Sequence, residues 1–536
     1  MTFCLNKTHL VFLCIFPVEF GLIGNIKLCN LHKVREPIIR TFSILIFAVL
    51  FCFLPFTKAN GATNQLLDKV QQIDAEIQQN MQRFNIPGMA FVLANEEGIV
   101  YAKGYGLNEF EGTQRVNSQT NFKIGSISKV FTSLAIMQLR DQGLVELDVP
   151  IKQYLPWFAT KDASLSDRIT VRDLLHHTSG LPGRLNAHDV KGSDMNLVSS
   201  QLEHKLQNVR LVASPGETYE YTNMNYDLLQ LIAEQVTNLP FPDYMSQKVF
   251  HPLGMSRTFF ATGNQSSNSA TGHRYIWGNI HPFYEKLSFA TLGSAGLSTN
   301  AEDLGKYISF LLSSSSKGNN PVLHSASLTE MQHAAIFDES IGHGFGWDIT
   351  GNTIEKNGGL PGFSANLIVF PGRNYGFALL ANSKQNITDE INFNISRILE
   401  GRSPSYLSKQ DYPSVSSENK IILGVSALFT IIVLLMWLPT IVLGLSKKTR
   451  YSFKKPNLFI ILICWVLNGL ILTGVLYYIF YLVPYESGVP SLDRLTIAPD
   501  FVNGLIILSV SYLTFSISLV CKSLLQRTTT ISDSRK

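Results

Sequence analysis

The sequence predicts a mixed α/β (α+β) domain attached to apolar segments, and three observations predict it. Short β-rich runs lie at both ends of residues 62–402, two early and three late. A Gly/Pro-broken middle with mostly helical patterning separates them. Three apolar stretches then close the chain: Ile421–Leu445, Asn457–Val483 and Phe501–Cys521. Strands from both ends of one domain imply a single antiparallel sheet, with the intervening helices forming a lobe beside it.

The elements follow in chain order. Residues 1–61 are apolar, and within them Lys33, Arg35 and Arg40 precede "SILIFAVLFCFLPF", with the small residues of "TKANGA" after it. That order of charge, apolar core and small residues reads as a signal peptide or signal anchor. "NQLLDKVQQIDAEIQQNMQRF" has helical periodicity. "GMAFVLAN" and "IVYAKGYG", joined by a turn ending in Gly98, read as a hairpin. "NTIEKNGG", "SANLIVFPG" and "YGFALLANS" are three later strand signals, and "DEINFNISRILEG" is a closing helix. Residues 403–419 are rich in Ser and Pro, hence a linker.

Each of the three stretches within 420–522 has the ~20 residues that a membrane-spanning helix needs. The loop "SKKTRYSFKK" between the first two is strongly basic and the next loop is not. The positive-inside rule therefore puts the first loop and the tail 523–536 in the cytoplasm, with 62–402 outside. The export signal requires the same placement. The expectation is a multi-pass cell-membrane protein in contact with lipid. No charges interrupt the three stretches, so anchoring is a simpler role for them than ion translocation.

Composition narrows the chemistry. The 536 residues carry 44 basic and 40 acidic side chains, a net charge of +4, with no bias toward nucleic acid. Cys4, Cys14, Cys29, Cys52, Cys464 and Cys521 all lie in apolar termini, and none falls between Asn60 and Gln410. The domain thus lacks a disulfide framework or a thiol nucleophile. It has no HExxH or dense His/Asp/Glu cluster, so neither a metal nor another cofactor is expected.

Four Ser-x-x-Lys pairs occur: Ser126–Lys129, Ser314–Lys317, Ser417–Lys420 and Ser452–Lys455. The last three lie in a flexible polar run, at the linker's end and in the basic loop. Only Ser126–Lys129 heads a long apolar helix. A serine in a first helical turn places Oγ near the positive end of the helix dipole. A lysine three residues on shares its face, and burial disfavours its ammonium form, making it a usable base. Gly125 in front is read as permitting close substrate approach. The competing reading is a capping serine with a snorkelling lysine.

Two further motifs decide between them. Tyr221–Thr222–Asn223 is the only Tyr-x-Asn among 19 tyrosines, and Lys356–Asn357–Gly358, followed by Gly359, lies on a strand signal. Together with "VRDLLHHTSGLPG", "PLGMSRT", "GSAGLSTNAEDL", "GHGFGW" and "LPGF", the three motifs resemble the serine β-lactamase and penicillin-binding superfamily. The likeness lies nearest its class C β-lactamase, D,D-carboxypeptidase and esterase branch, over about residues 65–400. It implies a β-lactamase/D,D-peptidase-like antiparallel sheet flanked by helices, with a helical lobe. By that resemblance Ser126 is the nucleophile, Lys129 its base and Tyr221 a second proton carrier. Asn223 orients the substrate amide and Lys129. Lys356, with Gly358 and the strand after it, receives a substrate carboxylate or backbone. The N–H groups of Ser126 and Gly359 form the oxyanion hole. Asn357 stands where a hydroxyl is usual, which weakens the case for β-lactam binding.

The resemblance implies a serine acyl-enzyme hydrolase acting on D-amino-acid peptides, β-lactams or small esters. The alternatives are a class C-like β-lactamase with fast deacylation, and a non-catalytic module sensing cell-wall fragments. His176 and His177 are read as structural, His343 as a turn residue, and Glu217 and Glu220 as surface charges.

Overall fold

The computed structural model describes residues 56–405 except 263–267, 277–278, 285, 314–321, 334, 339–340 and 384–386. It also describes 417–445, 449–453, scattered positions between 459 and 474, and 499–529. Residues 1–55 of the expected signal region 1–61 and the linker residues 406–416 lie outside the described residues, as do Ser314–Lys317 and Lys455. The chain divides into two compact units, Met1–Gln65 and Leu66–Lys536.

Helix α1 spans Phe56–Phe84, beginning earlier than its periodicity suggested. Strands β1 (Gly88–Asn95) and β2 (Gly98–Gly106) form the expected hairpin. The Asn95 side-chain oxygen closes the turn by accepting from the Glu97 and Gly98 N–H groups, at 3.0 and 3.1 Å. Helix α2 (Ser128–Asp141) follows the small strand Phe122–Lys123 and a 3-10 turn, Gly125–Ile127. The lobe then contributes α3 (Val171–His176), α4 (Met195–Leu206) and α5 (Asn223–Thr237). Helix α6 (Ala301–Ser313) returns the chain to the sheet.

Among the described residues the C-terminal part of the domain holds six strands where three were expected. They are β3 (Ile336–Asp338), β4 (Ile341–His343), β5 (Asp348–Thr350), β6 (Thr353–Leu360), β7 (Phe363–Phe370) and β8 (Tyr375–Ala381). Helix α7 (Ile387–Leu399) closes the domain. One sheet runs β2-β1-β8-β7-β6-β5-β4-β3, with every pair antiparallel. The early hairpin docks on β8 with Met89 opposite Ala381 and Leu93 opposite Phe377, so the sheet is assembled from both ends of the domain.

Both sheet faces are covered, which is why β1, β7 and β8 are buried at every position. Period-two alternation divides their side chains. Met89, Phe91, Leu93, Phe377 and Leu379 pack with Ile73, Ile77 and Phe84 of α1 and Ile391 and Ile395 of α7. Ala90, Val92, Leu367 and Leu380 join the larger core, which includes Val130, Phe131 and Leu134 of α2 and Leu228 and Ile232 of α5. Helix α2 is thereby held between the sheet and the lobe.

Beyond the domain, α8 (Ser417–Leu445) starts inside the stretch read as linker, and α9 (Pro499–Leu524) covers the third apolar segment. Among the described residues no helix is long and apolar enough to cross a membrane, so the expected spans gain no support there. In α8 the described side chains run unbroken only over 423–439. Asn457–Val483 lies almost wholly outside the described residues. The basic loop and the tail carry strands that pair: Thr449–Phe453 with Leu525–Thr529.

Candidate active site

Ser126 sits in the 3-10 turn that runs directly into α2, and Lys129 lies in the helix's first turn, fully buried. Ser128 fixes the turn. Its hydroxyl donates to the Gly125 carbonyl at 2.7 Å and accepts from the Leu297 N–H at 3.0 Å. The turn packs on β6 with almost no clearance. A Cβ on Gly358 would stand 1.9 Å from the Ile124 carbonyl oxygen, and one on Gly125 would stand 2.8 Å from the Gly359 nitrogen and oxygen. Gly125, at φ +50°, adopts the left-handed conformation that glycine favours. The glycine therefore serves this backbone-to-backbone approach, and the expectation that it made room for substrate is corrected. A Cβ on Gly359 would meet nothing within 4 Å. The Gly359 peptide thus borders open space beside the residue that precedes Ser126.

Three of the expected side chains converge with Ser126. The Tyr221 hydroxyl is 2.8 Å from Ser126 Oγ, and Lys129 Nζ is 3.2 Å from the same oxygen. Lys129 Nζ also donates to Asn223 Oδ1 at 2.7 Å and to the Ser294 carbonyl at 2.9 Å. Tyr221 precedes α5 and Asn223 begins it, so one helix N-terminus delivers both. Lys356 Nζ lies 5.3 Å from the centre of the Tyr221 ring and Lys129 Nζ lies 5.0 Å from it. The seven residues singled out from the sequence are all brought to one locality.

Burial pulls the Lys129 ammonium below its usual range, helped by the Lys356 charge and opposed by Tyr221 and Asp227. Burial alone would raise the Tyr221 phenol. The charges of Lys129 and Lys356 outweigh it, and the phenol falls below its usual range. Both groups beside Ser126 Oγ are thus shifted toward their proton-accepting forms.

Other contacts were not legible. His177 ends α3 in the left-handed conformation, φ 59°. Its Nδ1 accepts from the Thr222 N–H at 3.3 Å, and its ring lies 4.5 Å from that of Tyr221. Burial holds this imidazole neutral. The histidine is structural as expected, but its task is to position Tyr221. Glu220, read as a surface charge, accepts from the Gly183 N–H at 2.9 Å and ties down the "LPG" loop. His343 is a strand residue of β4 rather than a turn. Its Nδ1 is 3.1 Å from Asp348 Oδ1, and Lys356 Nζ donates to Asp348 Oδ2 at 3.0 Å. The Asn357 side-chain Oδ1 accepts from Asn366 Nδ2 across the sheet at 2.7 Å. Among the described residues no His, Cys, Asp and Glu group could hold a metal ion.

The Beta-lactamase family model matches residues 73–398. The chain belongs to the Beta-lactamase family. Protein flp of Staphylococcus aureus (strain NCTC 8325 / PS 47) is 31% identical over 327 residues, covering 59% of this chain and 63% of that protein. The chain therefore matches less than two thirds of that relative's length. Among solved structures, the octameric penicillin-binding protein homologue from Pyrococcus abyssi is 25% identical at a TM-score of 0.54, covering 66% of this chain and 81% of its own. The D-alanine carboxypeptidase AmpC from Burkholderia cenocepacia is 20% identical at a TM-score of 0.53, covering 62% and 99%. The serine β-lactamase and penicillin-binding superfamily read from the motifs is thus the chain's own, and the mixed fold with a helix-flanked antiparallel sheet is its fold.

Proposed function

We propose that this Beta-lactamase family member is a serine hydrolase that works through an acyl-enzyme on Ser126. The observation that carries the reading is the pair of short contacts to Ser126 Oγ, 2.8 Å from Tyr221 and 3.2 Å from Lys129. An alcohol becomes a nucleophile when a neighbouring base can take its proton. Both neighbours are shifted in the direction that lets them do so. Ser126 Oγ attacks the substrate carbonyl as its proton passes to the Lys129–Tyr221 pair. That proton then goes to the leaving group as the acyl bond breaks, and water repeats the sequence in reverse. Asn223 orients Lys129 and a substrate amide. The N–H groups of Ser126 and Gly359 stabilise the tetrahedral oxygen, each worth about 3 kcal/mol. The substrate class is peptides ending in D-amino acids, β-lactams or small esters.

The domain faces the exterior, anchored by the apolar segments of residues 420–522. Leu428, Ile431, Leu434, Leu435 and Leu438 of α8 and Val510, Leu513 and Ile517 of α9 are exposed, as side chains meeting lipid are. The pairing of the basic loop with the tail suits two segments on one membrane side.

The test is covalent labelling of the detergent-solubilised full chain by a fluorophosphonate and by a fluorescent penicillin, against Ser126→Ala. A Ser126-dependent label from either supports the nucleophile. A persistent penicillin label favours a peptidase, and a transient one favours a β-lactamase. Absence of both from folded protein would favour the non-catalytic module.

A further inference from the structure

Asp348 lies outside every motif that marks the site, yet it holds the cation beside Tyr221. Its Oδ2 accepts from Lys356 Nζ at 3.0 Å, and its Oδ1 is 3.1 Å from His343 Nδ1. The sheet fixes the arrangement. Asp348 on β5 stands opposite His343 on β4 and opposite Glu355 on β6. The His343 ring is clamped in turn against Tyr219, stacked at 3.8 Å and 7°. The carboxylate is held from two sides and cannot swing away without breaking both contacts. Burial opposes its ionisation, but the hydrogen bond from His343 and the charge of Lys356 outweigh that and keep it ionised.

The exposure of the pair is lopsided. The Asp348 side chain is 27% exposed and that of Lys356 only 6%. The more open member is the carboxylate, so a substrate anion seeking Lys356 approaches a fixed negative charge. Glu355 adds a second carboxyl group nearby. Asn357 supplies no hydroxyl to compensate, and its side-chain oxygen is engaged by Asn366. A cation already paired at 3.0 Å attracts a second anion less than an unpaired one would.

Building on the acyl-transfer reading, we infer that Asp348 determines specificity, selecting acyl donors whose leaving group carries no carboxylate over those ending in a free one. The favoured substrates are neutral esters, thioesters and amides of small acyl groups. In the acylation step the Ser126 Oγ–carbonyl bond forms and the bond to the leaving group breaks. The leaving group departs with the proton that Ser126 gave up. Tyr221, which contacts Ser126 Oγ at 2.8 Å, has Lys356 Nζ 5.3 Å from its ring centre, so the leaving group takes its proton close to the Asp348–Lys356 pair.

The experiment compares two substrates with the full chain in detergent: a D-alanyl thioester of thioglycolic acid and the methyl ester of the same compound. They differ in one charge on the leaving group. Rates of thiol release are divided by the uncatalysed hydrolysis rates. The wild type is expected to favour the methyl ester in kcat/KM. Asp348→Asn is expected to shift the ratio toward the free acid about tenfold, equivalent to about 1.4 kcal/mol, with Asp348→Ser shifting it the same way. Raising the salt concentration is expected to narrow the wild-type preference and to leave the variants' ratio flatter. A loss of packing alone would lower both rates without moving their ratio. A ratio unchanged within twofold in both variants, while a fluorophosphonate still labels their Ser126, overturns the inference and leaves the acyl-transfer reading standing. A wild type that neither cleaves the two compounds nor takes the label overturns both.

Discussion

Lys129 and Lys356 flank one phenol, their Nζ atoms 5.0 and 5.3 Å from the centre of the Tyr221 ring. Lys356 lowers the proton affinity of both Lys129 and Tyr221. The activity should therefore have an acid limb, rising with pH as the proton acceptor at Ser126 deprotonates, below the ordinary range of either group. Lys356→Gln removes a positive charge that favours deprotonation of each. The limb in a kcat/KM–pH profile for a neutral ester should move to higher pH, whichever of the two accepts the proton. A limb that stays in place would separate Lys356 from the acid–base machinery.

Replacing either acceptor should cost more than it costs binding. Lys129→Met and Tyr221→Phe are each expected to lower kcat by about 10²–10⁴-fold, the usual range for losing a positioned acid–base group. The two losses should not add, because both act on the same Ser126 proton. Single-turnover acylation by a fluorescent penicillin or an activated ester would measure this. A double variant slower than either single by the full product would argue for independent roles.

Neighbouring glycines should behave oppositely. Gly358→Ala brings a Cβ to 1.9 Å from the Ile124 carbonyl oxygen, where backbone meets backbone. The expected destabilisation is about 3 kcal/mol, the upper part of the overpacking range, with Ser126 displaced from its partners. Gly359→Ala meets nothing within 4 Å, and its stability should stay within about 0.5 kcal/mol. Denaturant midpoints for the pair provide the check.

Asp227, one turn beyond Asn223 in α5, is fully buried, and burial pushes its carboxyl up to about 7 from 3.8. A raised carboxyl means that the folded state binds the proton more tightly than the unfolded one. Its contribution to stability is complete below pH 3.8 and is lost as pH rises through about 7. Asp227→Asn should therefore raise the Tm at pH 8 relative to wild type and have little effect at pH 4. The difference corresponds to about 4 kcal/mol at most, at 1.36 kcal/mol per pKa unit. Equal shifts at both pH values would show that the carboxyl does not titrate in this window.

What could be read in advance divides along physical lines. Ser126 and Lys129 are three residues apart on a 3-10 turn and the helix it runs into, so local geometry made their pairing legible. Tyr221, Asn223 and Lys356 were legible as motifs on elements that suit them. The hairpin and the long strands β6 to β8 had enough residues to show a pattern. Strands β3, β4 and β5 have three residues each, too few to show periodicity. Asp348 and Ser294 meet Lys356 and Lys129 only because the sheet and lobe bring distant segments together. No local pattern records such contacts. His177 is read as structural, and it caps the end of α3. Its second task exists only because α3 packs against α5.

If residues 420–522 hold the chain in a bilayer, the full chain should remain with membranes through alkaline carbonate washing and leave only in detergent. Its domain should be accessible to protease from outside intact cells or right-side-out vesicles. The exposed leucines and isoleucines of α8 and α9 should react with a lipid-soluble photoactivatable probe. Replacing Leu428, Ile431 and Leu435 together with aspartate should release a fraction of the chain on carbonate washing. Each charge at a bilayer centre costs about 2.5–3.5 kcal/mol on insertion scales, so the triple change would exceed what one helix gains from its remaining apolar residues. Complete release of the unmodified chain by carbonate would reduce these segments to a peripheral contact and leave the N-terminal signal as the sole reason for placing Ser126 outside.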